Sequence, residues 1–387
     1  MTGPAQDILT VNAGSSSIKI AVFDRTLTQT VSASVSEIAG ASRLRIAGED
    51  RPCEAPDHDA AVAVLLAALG ELGHGVDSFS AAGHRVVHGG RGFTEPCLVT
   101  PDVIARIEEA IPLAPLHNPA NLAAIKALAR RAPDLPQTAS FDTAFHATNP
   151  EVARRYAIPE AEDAKGIRRY GFHGISYASL TERLPGLTGE PLPKRLLALH
   201  LGNGASLCAI LDGRSVATTM GYSPLDGLTM GTRSGGIDGN AVLRLAQDHG
   251  IDGAARLLNR ESGLLALGGA SDMRELHRAD TPQARFAIEH FCYWTVRNAG
   301  SMIAAMGGTN ALVFTGGIGE NDAYVRAAVM SGLAFTGLEF DASANAAGDM
   351  RLHAPNSRVK AFIVPAAEEA HIAAEAARVL GLAPGST

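Results

Sequence analysis

The sequence predicts an α/β protein in which one architecture occurs twice. A strand, a turn of small polar residues and a second strand occur at Ile8–Phe23 and again at Leu196–Leu211, about half a chain apart. Between these units, short apolar runs alternate with alanine-rich stretches of helical periodicity. The length of 387 residues also favours two domains, because one hydrophobic core rarely serves so long a chain.

The elements follow from local sequence signals, taken in chain order. Strands are predicted where apolar or β-branched runs end at small or polar residues: Ile8–Val11, Ile18–Phe23, Ala81–Val87, Thr138–Phe141, Leu196–Leu199, Ser206–Leu211 and Ala311–Phe314. Helices are predicted in alanine-rich stretches with helical start or stop signals: Ala60–Leu69 ending at Gly70, Asn121–Arg131, Glu151–Tyr156, a helix from Asp322, and Glu368–Leu380 ending at Gly381.

Proline and charge are concentrated at 150–165, which predicts a domain crossing there. We expect the terminal helix to fold back on the first domain. The predicted domains are therefore 1–146 with 367–387, and 147–366.

Composition excludes several classes of protein. With 46% apolar and 19% charged residues, the chain is globular, and a net charge of −7 gives no general attraction to nucleic acid or an anionic membrane. The four cysteines form no CxxC pair, so a disulfide framework or zinc–thiolate site is not expected. No secretory signal is readable, and the longest apolar run is too short to span a membrane. We expect a cytoplasmic protein.

Three glycine-containing segments offer backbone amides to phosphate or nucleotide: Asn12–Lys19, His200–Ala205 and Thr315–Asn321. None has the Walker A spacing. A plain turn would explain the first segment if it stood alone. A helix cap is the alternative for the third, but its three glycines exceed what a cap needs. Because the second segment repeats the geometry of the first, phosphate binding is the better interpretation.

Four polar residues occupy positions where a catalytic or ligand-binding side chain is expected. Asp142 ends a strand, where carboxylates of open α/β sheets tend to act, although it could equally cap a helix. His173 lies among glycines and aromatic residues, and a packed structural histidine is an equal alternative. Arg85 and Arg233 lie among glycines, where an isolated arginine is usually a solvated surface residue.

Two further histidines, His84 and His88, are four residues apart, a spacing that suits a metal ligand pair on a helix. The valines between them predict a strand, and the glutamate of the HExxH motif is missing. Core or hydrogen-bonding histidines are therefore expected.

Taken together in this order, the motifs resemble those of the acetate kinase family: NAGSSSIK, GHRVVHGG, PLAPLHNP, FDTAFH, RRYGFHG, HLGNGAS, PLDGLTMGTRSGG, SDMREL and TGGIGEN. The resemblance runs from about residue 8 to the terminal helix. It implies two duplicated actin-like, ribonuclease H-like domains around a nucleotide cleft, as in the sugar kinase, Hsp70 and actin superfamily, and a homodimer. It also implies reversible transfer of the ATP γ-phosphoryl group to acetate, giving acetyl phosphate and ADP.

The resemblance also implies roles for individual residues. The implied catalytic residues are Arg85, Asp142, His173 and Arg233. The acyl group would contact Val87, Leu116 and Pro224, with Arg85 holding the carboxylate. The implied nucleotide-binding residues are Lys19, His200, Leu201, Gly202, Asn203, Gly204, Asp272, Met273, Arg274, Gly317, Ile318, Gly319, Glu320 and Asn321. Mg²⁺, or Mn²⁺ in its place, would be bound by Asn12 and Glu368. Members usually read Pro-Thr-Asn-Glu-Glu where this chain reads Pro-Ala-Ala-Glu-Glu, so Glu369 is an alternative ligand.

Elementary chemistry agrees with this reaction. Acetate is ionised at neutral pH and needs no general base, but its approach to a polyphosphate requires charge compensation. Arginines, an imidazole and a divalent cation supply that compensation. The alternatives are a propionate or other short-chain fatty acid kinase, more remotely a sugar kinase, or an Hsp70-like ATPase. A sugar kinase would need a carboxylate base for its hydroxyl acceptor, and an ATPase switch would need a peptide-binding or polymerising module.

Overall fold

The computed structural model describes residues 7–382 and contains two compact units, each built on its own β-sheet. The first unit comprises the described residues of Met1–Phe145, Gly174–Ser179 and Ala367–Thr387, and the second comprises His146–His173 and Leu180–Ala366. The domain boundaries inferred from the sequence stay a prediction, and their residues 1–6 and 383–387 lie outside the described residues.

The strands and helices are as follows, in chain order. The strands are β1 (Asp7–Ala13), β2 (Ile18–Phe23), β3 (Gln29–Ser36), β4 (Arg43–Ile46), β5 (Glu49–Pro52), β6 (Phe79–Val86), β7 (Cys97–Leu98), β8 (Gln137–Phe141), β9 (Arg195–Leu201), β10 (Ala205–Leu211), β11 (Arg214–Thr218), β12 (Ala311–Thr315) and β13 (Lys360–Ile363). The helices are α1 (His58–Glu71), α2 (Pro101–Glu109), α3 (Asn118–Arg131), α4 (Glu151–Arg154), α5 (Glu160–Ala164), α6 (Gly174–Thr188), α7 (Gly239–Arg260), α8 (Gly263–Gly268), α9 (Met273–Ala279), α10 (Pro282–Met306), α11 (Gly316–Asn321), α12 (Ala323–Gly332), α13 (Ala342–Ala347) and α14 (Glu368–Leu380).

The two sheets repeat one topology. The sheet of the first unit has the order β5-β4-β3-β2-β1-β6-β8-β7, and that of the second has the order β11-β10-β9-β12-β13. The five strands β3-β2-β1-β6-β8 of the first sheet correspond to β11-β10-β9-β12-β13 of the second: three antiparallel strands followed by two parallel ones. The first sheet adds β4 and β5 at one edge and β7 at the other. This correspondence confirms the predicted α/β class and its duplication.

Helices cover both faces of the first sheet, because its central strands carry apolar side chains on both faces. Leu9 and Val11 of β1 belong to a core with residues of α1 and α3, such as Leu65. Ile8 belongs to a second core with Ala373 of α14. The predicted terminal helix therefore forms within its predicted bounds and packs on β1 and β6.

Several predicted boundaries are wrong, and each has a physical reason. The helix expected to end at Gly70 continues to Glu71, because its carbonyls bond beyond the glycine. The strand predicted to reach Val87 ends one residue earlier, where the Val87 amide donates to Asn121 Oδ1 at 3.0 Å. The helix predicted to reach Tyr156 ends at Arg154, because Arg155 is extended and forms an isolated β-bridge with Arg168.

No helix within residues 7–382 is both long and apolar enough to cross a membrane. All four cysteines are free thiols.

The paired histidines near the end of β6 are buried, as the strand interpretation predicts. His84 Nε2 donates to Gln137 Oε1 at 2.7 Å, and the Gly90 amide donates to His88 Nδ1 at 2.9 Å. Burial lowers the pKa of His84 to about 4, with the Gln137 bond opposing it, and burial lowers the pKa of His88 to about 4.

These two histidines predict acid destabilisation. Between about pH 6.5 and 4 the unfolded chain binds protons at both residues while the folded chain does not. The free energy of unfolding should therefore fall by about 1.4 kcal/mol per pH unit for each histidine as the pH drops through this window. Urea titrations at several pH values measure it. His84→Gln should remove its share of the slope, and an unchanged slope in that variant would contradict the assignment.

Candidate active site

Arg85 and Asp142 lie side by side at the ends of two neighbouring strands of the first unit. β6 and β8 are parallel, with Arg85 opposite Ser140, so their carboxyl ends meet at one edge of the sheet. Arg85 Nη2 donates to Asp142 Oδ2 at 2.6 Å, and Nε donates to both carboxylate oxygens at 3.1 and 3.2 Å. The Asp142 side chain is only 2% exposed. The two residues form a bidentate ion pair, the strong form of this contact, between a buried carboxylate and a partly exposed guanidinium.

Residues of the β1–β2 hairpin and of α14 surround this pair. Asn12 stands opposite Lys19 across the hairpin, and Arg85 Nη1 donates to Asn12 Oδ1 at 3.2 Å. Lys19 Nζ lies 2.7 Å from Glu369 Oε1, while Glu368 begins α14. Lys19, which the resemblance assigns to nucleotide binding, is thus paired with a carboxylate in this structure.

The charges of this cluster are unbalanced. Burial opposes the charge of Arg85, but Asp142, Glu368 and Glu369 outweigh it and raise the pKa of Arg85. Burial raises the pKa of Glu368, and Asp142 and Glu369 add to that effect while Arg85 and Lys19 oppose it. Three carboxylates face two cations here, so the cluster would be stabilised by further positive charge.

The donor set fits a hard divalent cation. Glu368, Glu369 and Asn12 offer carboxylate and amide oxygens, which Mg²⁺ prefers, and Mg²⁺ commonly takes only one or two carboxylates beside water and substrate phosphates. Within residues 7–382 no group of three or more histidine, cysteine, aspartate or glutamate side chains is arranged to hold a metal on its own. A site completed by phosphate oxygens is consistent with that arrangement.

In the second unit, His173 is held at the start of α6 in the left-handed backbone conformation, at φ 57°. Its Nδ1 lies 2.9 Å from Ser206 Oγ on β10, and its ring stacks on that of His200 at 4.1 Å between centroids. A non-glycine residue in this conformation is uncommon, and strained residues of this kind recur at functional sites.

Arg233 and His173 converge on one point beside Gly204. A Cβ added to Gly204 would lie 2.8 Å from Arg233 Nη2 and 3.3 Å from His173 Nε2. Arg233 Nη1 also donates to the Pro224 carbonyl at 2.5 Å, which holds the guanidinium in place. Gly204 therefore allows a cation and an imidazole nitrogen to approach the same point of its backbone, and these two side chains together suit the binding of an anionic group.

A cavity of about 770 Å³ opens in the same unit, a size typical of small-molecule sites. Its lining includes the predicted nucleotide-binding residues Gly202, Asn203, Asp272, Met273, Arg274, Gly317, Ile318 and Asn321. It also includes Ser271, His277, Asp322 and Ala323, which the sequence analysis did not single out. Residues from three distant segments therefore surround one cavity.

Comparison with known proteins identifies the family. The model of the acetokinase family matches residues 7–374. An acetate kinase of Rhodopseudomonas palustris is 44% identical over 386 residues, covering 95% of this chain and 96% of that protein. An acetate kinase of Streptomyces coelicolor is 45% identical over 388 residues, covering 95% of each. This chain belongs to the acetokinase family.

Solved structures of family members share its fold. The crystal structure of Porphyromonas gingivalis acetate kinase has a TM-score of 0.90 at 36% identity, covering 97% of this chain and 100% of that one. A propionate kinase of Francisella tularensis has a TM-score of 0.92 at 35% identity, with the same coverage. Membership of the acetokinase family makes this chain a phosphotransferase.

In this acetokinase, the glycine segment after β12 is helical rather than the predicted loop. Gly316 has φ 79°, and a Cβ there would lie 2.8 Å from the Leu201 carbonyl oxygen, so the close approach requires glycine. Glu320 Oε1 accepts hydrogen bonds from the amides of Gly316 and Ala366, both at 2.9 Å. The Glu320 carboxylate thus fixes the start of α11 by hydrogen bonds. The contact of Glu320 with nucleotide, which the resemblance implies, stays a prediction.

The remaining predicted positions differ in their exposure. Val87 is 7% exposed and Leu116 is 44% exposed. Arg274 is an exposed residue paired with Asp272, with 2.5 Å between Nη2 and Oδ2. Val87 lies one residue beyond the end of β6, and its assignment to the acyl group rests on the family resemblance.

Ser206 is the principal polar residue that the sequence analysis missed. It is fully buried on β10, whose other residues are apolar. A lone serine in a buried apolar strand directly after a glycine loop is a signal that could have identified it.

Proposed function

We propose that this chain is an acetate kinase: it transfers the γ-phosphoryl group of ATP to acetate, forming acetyl phosphate and ADP, and catalyses the reverse reaction. The observation that carries the proposal is the convergence of Arg233 Nη2 and His173 Nε2 on the space beside Gly204. Together with membership of the acetokinase family, this arrangement supports stabilisation of a transferring phosphoryl group.

The acceptor chemistry is simple because acetate is already a carboxylate at neutral pH. An acetate oxygen attacks the γ-phosphorus while the bond from that phosphorus to the bridging oxygen of ADP breaks. No proton is removed from the acetate. Arg85 Nη1 and Nη2 each donate one hydrogen bond to the residues described above, which leaves one N–H on each for an acetate oxygen. Asp142 then acts by orienting the guanidinium rather than as a base.

The nucleotide is assigned to the cavity lined by Gly202, Asn203, Gly317 and Ile318. Mg²⁺, or Mn²⁺ in its place, would be held by Asn12 and by Glu368 or Glu369, and when bound it neutralises phosphate charge. Within this chain, the raised pKa of Glu368 supports that assignment, because the cluster favours added positive charge.

We also propose a homodimer in the cytoplasm. Large apolar side chains are exposed on two helices of the second unit, Leu243 and Ile251 on α7 and Phe286 and Tyr293 on α10. Exposed apolar residues of this kind favour association with another protein surface. Four free cysteines fit a reducing compartment. Sedimentation of the purified chain tests the dimer.

The reverse reaction tests the proposed activity. Purified chain supplied with acetyl phosphate, ADP and Mg²⁺ should form ATP, measured by coupled hexokinase and dehydrogenase assays. Arg233→Ala should reduce that ATP formation, whereas Arg244→Ala, which removes an arginine from an exposed ion pair with Asp248, should not. Release of inorganic phosphate without ATP would contradict the proposal.

Acyl length supplies a second prediction. One extra methylene in a tight apolar pocket changes specificity by about 1–3 kcal/mol, roughly 10- to 200-fold, so acetate should be clearly preferred over propionate. Val87→Ala removes two methyl groups from a buried side chain and should raise kcat/KM for propionate relative to acetate.

The matched control for this prediction is Val86→Ala, the same truncation at the neighbouring core residue. It should lower stability without changing the ratio of kcat/KM for the two acids. An unchanged ratio in Val87→Ala would remove Val87 from the acyl pocket.

A further inference from the structure

Ser206 lies directly behind the proposed phosphoryl-stabilising histidine. Its Oγ lies 2.9 Å from His173 Nδ1, and the serine is fully buried on β10. The opposite ring nitrogen, Nε2, faces the space beside Gly204 with Arg233 Nη2. The two nitrogens of one imidazole are therefore divided between a buried hydroxyl and the candidate reaction site.

We propose that Ser206 is a positioning residue that donates its hydroxyl proton to His173 Nδ1 and thereby keeps the proton of the neutral ring on Nε2. This inference rests on the proposed function. A neutral imidazole carries one N–H, and the hydrogen bond at one nitrogen determines which nitrogen carries it. With Nδ1 accepting from Ser206, Nε2–H is a donor toward the developing phosphoryl charge.

The surroundings support an orienting role. The His173 backbone is in the left-handed conformation, and stacking on His200 restricts rotation of the ring. Within the described part of the second unit, the ring stacks on that of His200, and Arg233 Nη2 lies beside Gly204 with His173 Nε2. Neither changes when Ser206 is replaced, so an altered pH dependence would report on the ring itself.

Ser206→Ala should lower kcat by about 10- to 100-fold near pH 8, the usual loss when a partner that orients a functional group is removed. The neutral ring is then able to carry its proton on Nδ1 and present a lone pair to the phosphoryl group. At low pH the protonated ring carries hydrogens on both nitrogens, so the deficit relative to the parent enzyme should shrink as the pH falls and the ring becomes protonated. Comparing variant with parent at each pH cancels ionisation of the substrates.

Ser215→Ala is the matched control. Ser215 is also fully buried in this sheet, and its Oγ lies 2.8 Å from His146 Nδ1, but His146 Nε2 bonds the Phe172 carbonyl instead of facing the Gly204 space. Removal of the Ser215 hydroxyl should leave the ratio of the variant kcat to the parent kcat constant across the pH range. In a His173→Gln background, Ser206→Ala should cause no further loss.

Nitrogen-15 NMR of the histidine side chains in the full chain reads the tautomer without any turnover. At pH 8 the parent should show His173 protonated on Nε2, and Ser206→Ala should shift it toward Nδ1. If the alanine variant does not fold, Ser206→Cys fills the same space with a weaker donor and should show a partial shift. Three results would overturn the inference. The parent ring could be protonated on Nδ1, the kcat deficit of Ser206→Ala could be independent of pH, or Ser206→Ala could cause an equal loss of kcat in the His173→Gln background. A normal tautomer with no transfer to acetate would instead contradict the proposed function alone.

Discussion

Replacing Arg85 with alanine is expected to lower kcat/KM for acetate by about 10²–10³-fold, the loss typical of removing one donor to developing charge. Arg85 lies at the end of β6, paired with Asp142, and retains N–H groups directed at neither Asp142 nor Asn12. Without it, no guanidinium of this cluster is left to hold the carboxylate. Initial rates over a range of acetate concentrations measure the effect.

The alanine variant also leaves Asp142 buried beside Glu368 without its cation, which costs roughly 3–5 kcal/mol when a buried pair is broken. Arg85→Lys is therefore the necessary companion, because it keeps the charge but loses the bidentate geometry. The lysine variant should be folded and still clearly impaired. Near-parental turnover in both variants would exclude Arg85 from carboxylate binding.

Asp142→Asn is expected to lower kcat by about 10³-fold with little change in nucleotide affinity. The amide has the size of the carboxylate, but it cannot accept both hydrogen bonds that fix Arg85 or balance its charge. Because the cavity assigned to the nucleotide lies in the second unit, binding of ADP should be nearly unchanged. Steady-state kinetics and calorimetric titration with ADP separate the two effects.

Asp59→Asn is the matched control for this loss of a carboxylate. Asp59 Oδ2 lies 2.6 Å from Arg131 Nη2 on the surface of the first unit, so its removal should leave kcat unchanged. If Asp142→Asn loses ADP affinity in proportion to its turnover, Asp142 is a structural residue.

The sequence predicted those parts of the fold that depend on local pattern. The two hairpins, the terminal helix Glu368–Leu380 and the strand before Asp142 all formed where apolar runs and helix start or stop signals indicated. Apolar runs bounded by turn residues and a helix bounded by a stop signal are local signals, so no distant partner is needed to recognise them.

The sequence did not predict features that depend on distant partners. The segment from Gly316 to Asn321 is helical because Glu320 accepts the Gly316 amide and buried Arg326 donates to the carbonyls of Gly319 and Glu320. Val87 leaves the strand because a side chain from α3 takes its amide. No local pattern records such contacts.

The candidate site likewise has contacts that could be predicted from the sequence and contacts that could not. Arg85 and Asp142 could be placed together because parallel strands end at one edge of a sheet, a rule that needs only the strand assignment. The contact of Ser206 with His173 crosses from β10 to the start of α6, and the sequence contains no periodicity that relates the two. The pairing of Lys19 with Glu369 was likewise invisible.

Trapping of the product tests the central claim most directly. Purified chain, ATP, Mg²⁺ and acetate are incubated with hydroxylamine, which converts an acyl phosphate to a coloured hydroxamate, and ADP is measured in parallel. The account predicts acetohydroxamate and ADP in equal amounts, with more product from acetate than from propionate or butyrate. ADP released without hydroxamate, or ADP formation that does not depend on acetate, would contradict it.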